Sequence, residues 1–239
     1  MSEENRTSID TSLSLGEIVL SFPDSVELFN MYKLDYCCGG DQKLSEAFED
    51  LKGEGVDTDK LLEELNRKYS AFLEKKEEIR DWRSETPSGL IEHILNTHHV
   101  YTKKTLQELD DMVLKILKVH FKDYSEELLV VHSLFGSLKT ELEAHLIKEE
   151  EQLFPMILSY ESSSDESLLS DIRKFISETE SEHDAAGDIL KELEEVTRDF
   201  TPPDGTCTTF KRAYMTLDDL EKDIFTHIHL ENSVLFKMF

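Results

Sequence analysis

His145-Leu-Ile-Lys-Glu149-Glu-Glu-Gln-Leu-Phe154 and His227-Ile-His-Leu-Glu231-Asn-Ser-Val-Leu-Phe236 are one pattern written twice. Each holds a His, a Glu four residues later, and Leu-Phe at the same offset. Residues i and i+4 share one face of an α-helix, one turn apart. Each stretch therefore sets an imidazole beside a carboxylate, which is a chelating pair.

The composition around these stretches is that of a helical chain. Among 239 residues there are only 9 Gly and 5 Pro, and the net charge is −26. Few turn formers and many Leu, Glu and Lys point to an all-α fold. The acidic charge reads as solvated outer helix faces. It repels phosphate backbones, which argues against nucleic acid as a partner. No apolar run approaches the roughly 18 residues of a membrane span. The N-terminus lacks the basic start and apolar core of a signal peptide. Three cysteines, two of them adjacent, make no disulfide framework. These features predict a cytoplasmic protein with reduced thiols and no membrane partner.

Taken in order, the chain predicts two domains and a linker. Residues 1 to about 13 are polar and read as frayed. A small helical domain is expected over 1–80. Its first helical stretch, Leu15 to Tyr32, is interrupted at Pro23, a residue suited to a helix start. Cys37-Cys38-Gly39-Gly40 reads as a loop, because paired glycines free the backbone. A short helix over Leu44–Leu51 stops at Gly53-Glu-Gly55, and a longer one, capped by Asp57 or Thr58, runs to about Arg80. Residues 81–89 form the linker. Over 90–239 the periodicity predicts four long helices, at about 88–120, 124–159, 166–200 and 207–238. Their breaks fall at Lys122-Asp123, at Ser162-Ser-Ser-Asp165 and at Thr201-Pro-Pro-Asp-Gly205. Short connections between long helices predict an up-and-down four-helix bundle. Each helix would be roughly 45 Å long.

The twin stretches fall on the second and fourth of these helices. The first offers His98 and His99, and the third offers His183. His99 precedes His145 by 46 residues and His183 precedes His227 by 44, so the bundle reads as two similar helix pairs. Together they supply four imidazoles and two carboxylates, enough for two metals with the carboxylates bridging. Such ligation fits iron, manganese or zinc and lacks the thiolates of structural zinc. Iron is favoured on chemical grounds, since nitrogen-rich ligation with a solvent-accessible oxo or hydroxo bridge suits O₂ or NO chemistry. A ferritin-type site needs Glu-x-x-His on two helices. Here only Glu180 to His183 supplies it among the candidate ligands.

Other residues are assigned by their neighbours. His93, His120 and His132 have no matching partners and read as structural. His229 lies about 200° around the helix from His227 and cannot share its site. A helical wheel passes slightly nearer His98 than His99, and spacing alone leaves the pair open. Glu141 and Glu182 are candidates to accept the outward N–H of a metal-bound imidazole. Glu150 and Glu151 are expected to face solvent. Tyr101, Tyr160 and Tyr214 read as packing residues.

Seven longer motifs run through the chain. They are Leu34-Asp-Tyr-Cys-Cys-Gly-Gly40, Asp81-Trp-Arg-Ser84, His93-Ile-Leu-Asn-Thr-His-His99 and His145-x₂-Lys-Glu-Glu-x₂-Leu-Phe-Pro-Met-Ile157. Glu178-Thr-Glu-Ser-Glu-His-Asp-x-Ala-Gly187, Thr201-Pro-Pro-x₃-Cys-Thr-Thr209 and His227-Ile-x-Leu-Glu-Asn-x-Val-Leu-Phe236 complete the series. Together they resemble the repair-of-iron-centres family, di-iron proteins with a hemerythrin-like bundle that are linked to damaged iron–sulfur clusters. The resemblance implies metal ligands at His99, His145, Glu149, His183, His227 and Glu231, and so selects His99 over His98. It implies two non-haem, carboxylate-bridged iron ions per chain. It also implies that Cys37 and Cys38 matter; adjacent thiols in a Gly-flanked loop read as redox thiols exposed enough to react with NO, oxidants or a metal, whereas Cys207 reads as structural or incidental. The chain departs from the family in carrying Lys237 where Pro is usual and His98 where Tyr is common.

The function this implies is repair of iron–sulfur clusters after nitrosative or oxidative stress, by iron donation, by reduction of NO to N₂O, or by both. The partners would be iron–sulfur proteins with damaged clusters, NO or O₂, and an electron donor, with the chain a monomer or a homodimer. An O₂- or NO-binding hemerythrin-like carrier or sensor is the alternative. A thiol-based docking protein with a passive metal site is a third reading.

Overall fold

A computed structural model describes residues 8–75 and 80–239. The expectations for residues 1–7 and for the last turns of a helix reaching Arg80 fall, in whole or part, outside that range. The described residues are helical almost throughout, with no strand among them and one isolated bridge between Ser14 and Lys43. Contacts divide the chain into two units. One is the chain up to Glu85 together with His229–Lys237, and the other is Thr86–Ile228 with Met238–Phe239.

In the first unit, α1 (Leu15–Ser21), α2 (Ser25–Met31), α3 (Leu44–Gly53) and α4 (Thr58–Lys75) surround an apolar centre. Ser14 and Glu17 start α1 with a reciprocal capping box: Glu17 N donates to Ser14 Oγ at 3.2 Å and Ser14 N to Glu17 Oε2 at 2.8 Å. Leu15, Ile18, Phe22, Leu28, Phe29, Leu44 and Leu65 are fully enclosed. The ring of Phe22 packs on those of Tyr69 and Phe72, with centroids 5.3 and 5.0 Å apart. Residues 8–13 were expected to fray. Instead Ile9 is buried and its N–H donates to Asn66 Oδ1 at 2.7 Å, which ties this segment to α4.

The loop between α2 and α3 is held on two sides within this unit. Gly16 N donates to Gly40 O at 2.9 Å. From the C-terminal segment, His229 Nδ1 meets Tyr36 O at 3.3 Å and Asn232 Nδ2 donates to Cys37 O at 3.2 Å. A Cβ on Gly40 would lie 2.7 Å from Tyr36 O, so only glycine fits this tight winding.

The second unit holds the four-helix bundle. Its first two helices run on as α5 (Pro87–Ile94), a π-turn (Leu95–His99) and α6 (Val100–Lys148). The break expected at Lys122-Asp123 is a kink at Tyr124, where φ is −135° and ψ is 25°. A second π-turn (Glu149–Leu153) leads into α7 (Phe154–Ser163). The third helix is α8 (Leu169–Thr197), shorter than expected because Arg198, Asp199 and Phe200 all turn left-handed. Thr197 Oγ1 secures that corner by accepting from Phe200 N at 3.0 Å. The fourth helix, α9 (Thr208–Leu230), enters a third π-turn (Glu231–Leu235). Leu106, Leu109, Ile116, Leu138, Ile172 and Leu220 line the bundle interior with no more than traces of exposure. No helix among the described residues is long and apolar enough to cross a membrane.

Candidate metal centre

Each π-turn carries one of the candidate ligands: His99, Glu149 or Glu231. A π-turn inserts one residue into the helical ladder and is common at functional sites. At Glu149–Leu153 a local cause is visible. Pro155 has no N–H to donate back along the helix, and Phe154 N bonds to Glu149 O, five residues back. At Glu231–Leu235 the same bond joins Phe236 N to Glu231 O, although Lys237 stands where proline would be. Proline is therefore not required for the turn.

The π-turn at 95–99 also accounts for the ambiguity between His98 and His99. One inserted residue turns the following chain by about 100°, which a regular wheel cannot represent. Both rings are buried. His99 Nε2 lies 3.3 Å from Glu149 Oε2. His98 turns elsewhere: its Nδ1 meets Asp223 Oδ1 at 3.0 Å, and its ring stacks on that of His227 with an interplanar angle of 5°.

Glu149 is fully buried and reaches two imidazoles, with Oε2 beside His99 and Oε1 3.3 Å from His145 Nε2. His183 comes from α8, its ring centroid 4.9 Å from that of His145, and His227 comes from α9, 5.0 Å from His99. Glu231, one turn beyond His227 on the same continuous helix, is also fully buried. Two donor groups result: His99, Glu149, His227 and Glu231, and His145, Glu149, His183 and Glu231. In each, one ligand atom from every residue lies within 4.8 Å of the others. All six ligands implied by the sequence are brought together, and both carboxylates are common to the two groups. The imidazoles pair across the sequence repeat, His99 with His227 and His145 with His183. Two buried carboxylates shared by two pairs of imidazoles are donors suited to two cations of borderline hardness, iron among them.

The outward nitrogens are held in matching fashion. His145 Nδ1 donates to Glu182 Oε2 at 2.9 Å, and Glu182 Oε1 receives Lys148 Nζ at 2.9 Å. His99 Nδ1 donates to Glu150 Oε1 at 2.7 Å, and the same oxygen receives Lys103 Nζ at 2.6 Å. A proton fixed on Nδ1 leaves the Nε2 lone pair facing the centre, as a metal ligand requires. The hydrogen bond from His145, with Lys148 beside it, holds the Glu182 carboxyl down at about 2 against the opposing effect of burial. Burial pushes Glu150 up, but Lys103 and His99 outweigh it and hold that carboxyl below its ordinary value.

Of the two acids considered for the outward nitrogens, Glu182 stands against His145 Nδ1, whereas Glu141 is exposed. Glu150 was expected to face solvent. It is half-buried instead, because the π-turn that begins at Glu149 aims the next residue at His99. The sequence reading also missed Lys103, Lys148 and Asp223. The signal was present for two of them: Lys103 follows His99 by four residues and Lys148 follows His145 by three. A cavity of about 430 Å³ opens beside the centre, bordered by Glu141, Ala144, Ala185, His145, His183 and His227.

The remaining candidates are placed elsewhere. Tyr214 is buried and donates to Glu127 Oε1 at 2.5 Å, a packing role. The adjacent thiols are less exposed than expected: within the first unit Cys37 is buried and Cys38 half-buried, both as free thiols, because the loop winds Cys37 inward. Cys207 and His120 were read as incidental or structural. Cys207 is exposed with its Sγ 3.2 Å from His120 Nε2. That hydrogen bond, with backbone N–H groups at the start of α9, lowers the thiol to about 7.

Residues 90–239 match the family described as hemerythrin HHE cation binding domain, and residues 11–69 match a domain of unknown function, DUF542. Among curated relatives, the iron-sulfur cluster repair protein YtfE of Escherichia coli O1:K1 is 36% identical over 228 residues, covering 93% of this chain and 94% of that one. The protein of the same name from Escherichia fergusonii gives the same identity and coverage. With a hemerythrin HHE domain, a DUF542 domain and this full-length likeness, the chain belongs to the repair-of-iron-centres family.

Proposed function

We propose that this chain is a di-iron protein that restores iron–sulfur clusters damaged by nitrosative or oxidative stress. The observation that carries this reading is the double donor group, in which buried Glu149 stands between His99 and His145. The likeness to proteins named for iron–sulfur cluster repair supplies the biological direction. His99, His145, Glu149, His183, His227 and Glu231 would hold the two ions. When bound, such a pair supplies redox equivalents and a place to hold small ligands close together. The chain's own contribution is to fix the imidazole tautomers through Glu150 and Glu182, to enclose both carboxylates away from water, and to leave a cavity of about 430 Å³ beside three of the imidazoles. That cavity suits entry of NO or O₂ and exchange of iron.

The test begins with metal content and absorption of the purified protein. Two irons per chain and a bridged ferric charge-transfer band are expected, and Glu149→Leu should lose both. Isotopically labelled iron in the loaded chain should then appear in the regenerated [4Fe–4S] cluster of a hydratase previously damaged by NO. Label retained in the chain, with N₂O formed on adding NO to the reduced protein, would instead favour NO reduction. Neither label transfer nor N₂O would sink both branches.

A further inference from the structure

The first unit contains a second group of metal-ligating side chains that the His–Glu centre does not use. Asp35, Cys37 and Cys38 each offer one ligand atom, and these atoms all lie within 4.8 Å of one another. We propose that Asp35, Cys37 and Cys38 form a separate site for a thiophilic divalent cation, ferrous iron or zinc, with one coordination position left open.

The distances carry the argument. The two sulfurs are 3.8 Å apart, and Cys37 Sγ is 3.3 Å from Asp35 Oδ1. A tetrahedral ion with sulfur ligands at roughly 2.3 Å places two sulfurs about 3.8 Å apart. With a carboxylate oxygen at roughly 2.1 Å, the sulfur–oxygen edge is about 3.6 Å. The thiols therefore already stand at the sulfur–sulfur edge of such a site, and the carboxylate lies a few tenths of an ångström inside the other. No side chain has to cross the loop to close the group.

The loop is built to hold that arrangement. Cys38 N and Gly39 N donate to Asp35 Oδ1 at 2.9 and 3.0 Å, which fixes the carboxylate against the sulfurs. The carbonyls of Tyr36 and Cys37 are engaged by His229 and Asn232 of the C-terminal segment. A Cβ on Gly39 would come within 2.9 Å of Asp35 O, so the winding that gathers the three donors excludes other residues there.

Thiols give up their protons when they ligate a cation, so binding at this group releases protons. Cys38 is half-buried, and three protein donors leave the fourth tetrahedral position to water or an incoming ligand. That is the mark of a site that exchanges its ion rather than a closed structural one.

The probe is cobalt(II), added anaerobically to the reduced, metal-stripped full-length chain carrying Cys207→Ser. A sulfur-to-cobalt charge-transfer band should rise with added cobalt and level off at the intensity of one thiolate-bound cobalt per chain, whatever cobalt the His–Glu centre takes up. The His–Glu centre has no thiolate, so cobalt bound there gives no such band, and the fate of that centre does not affect the result. Cys37→Ser and Cys38→Ser should each abolish the band, while Asp35→Ala should keep it and weaken binding at least tenfold. Circular dichroism of each variant separates loss of the site from loss of the fold. Absence of the band, its survival in Cys37→Ser, or indifference of the affinity to Asp35→Ala would overturn the proposal.

Discussion

Glu182 accepts the Nδ1 proton of His145 at 2.9 Å and, through its other oxygen, holds Lys148 at 2.9 Å. The carboxylate therefore sets which nitrogen of His145 is free to face the centre. Removing such an orienting partner typically weakens metal binding roughly 10–100-fold. Glu182→Ala should lose iron to a competing chelator by that factor, with helicity unchanged. Glu182→Gln, which can still accept the hydrogen bond, should lose less. Equal retention in all three proteins would show that the bond orients nothing.

His98 and His99 should separate cleanly under mutation. His98 bonds Asp223 and leaves the inner nitrogens alone. His98→Leu should keep its metal yet cost about 1–3 kcal/mol of stability, because the Asp223 carboxylate loses its partner. His99→Leu should lose metal. Chelator-accessible iron and thermal melts of the two variants provide the check, and metal loss in His98→Leu would reverse the assignment.

The π-turn at Leu95–His99 makes a register prediction. Deleting the exposed Asn96 should restore an ordinary helix and rotate His99 relative to Ile91 and Ile94 by about 100°. Circular dichroism should report the same helix content, while bound iron falls. Full metal content in the deletion variant would mean that the inserted residue is not what aims His99.

Cys207 should be the reactive thiol of the bundle. Its hydrogen bond to His120 and the backbone N–H groups at the start of α9 lower the thiol to about 7. The thiolate is the nucleophile, so a lowered value moves the alkylation profile to lower pH. The rate with iodoacetamide, followed by mass spectrometry, should reach half its plateau near pH 7. In His120→Ala the midpoint should climb toward the ordinary value of 9.0. A midpoint that stays put would remove His120 from the account.

How far the sequence reaches can be judged from individual positions. Pro23, Lys122-Asp123, Ser162–Asp165 and Pro202-Pro203 mark helix boundaries because their effects are local. Proline lacks a donor, and short polar side chains compete for backbone hydrogen bonds. The chelating pairs His145–Glu149 and His227–Glu231 are legible for the same reason, since i and i+4 meet within one helix. The left-handed run at Arg198–Phe200 was not legible, because none of those residues is glycine and the corner depends on the Thr197 side chain.

By itself, then, the sequence determined an all-α chain, the candidate donor residues and the helices that carry them. Tertiary structure decided the partnerships. It set His99 with His227 and His145 with His183, against the grain of the internal repeat, because antiparallel packing joins residues that periodicity cannot connect. It placed His99, the residue the family resemblance indicates, beside Glu149 through a π-turn that no wheel of fixed pitch contains. It also turned Glu150 from an expected surface acid into the acceptor for His99, since one inserted residue redirects every side chain that follows.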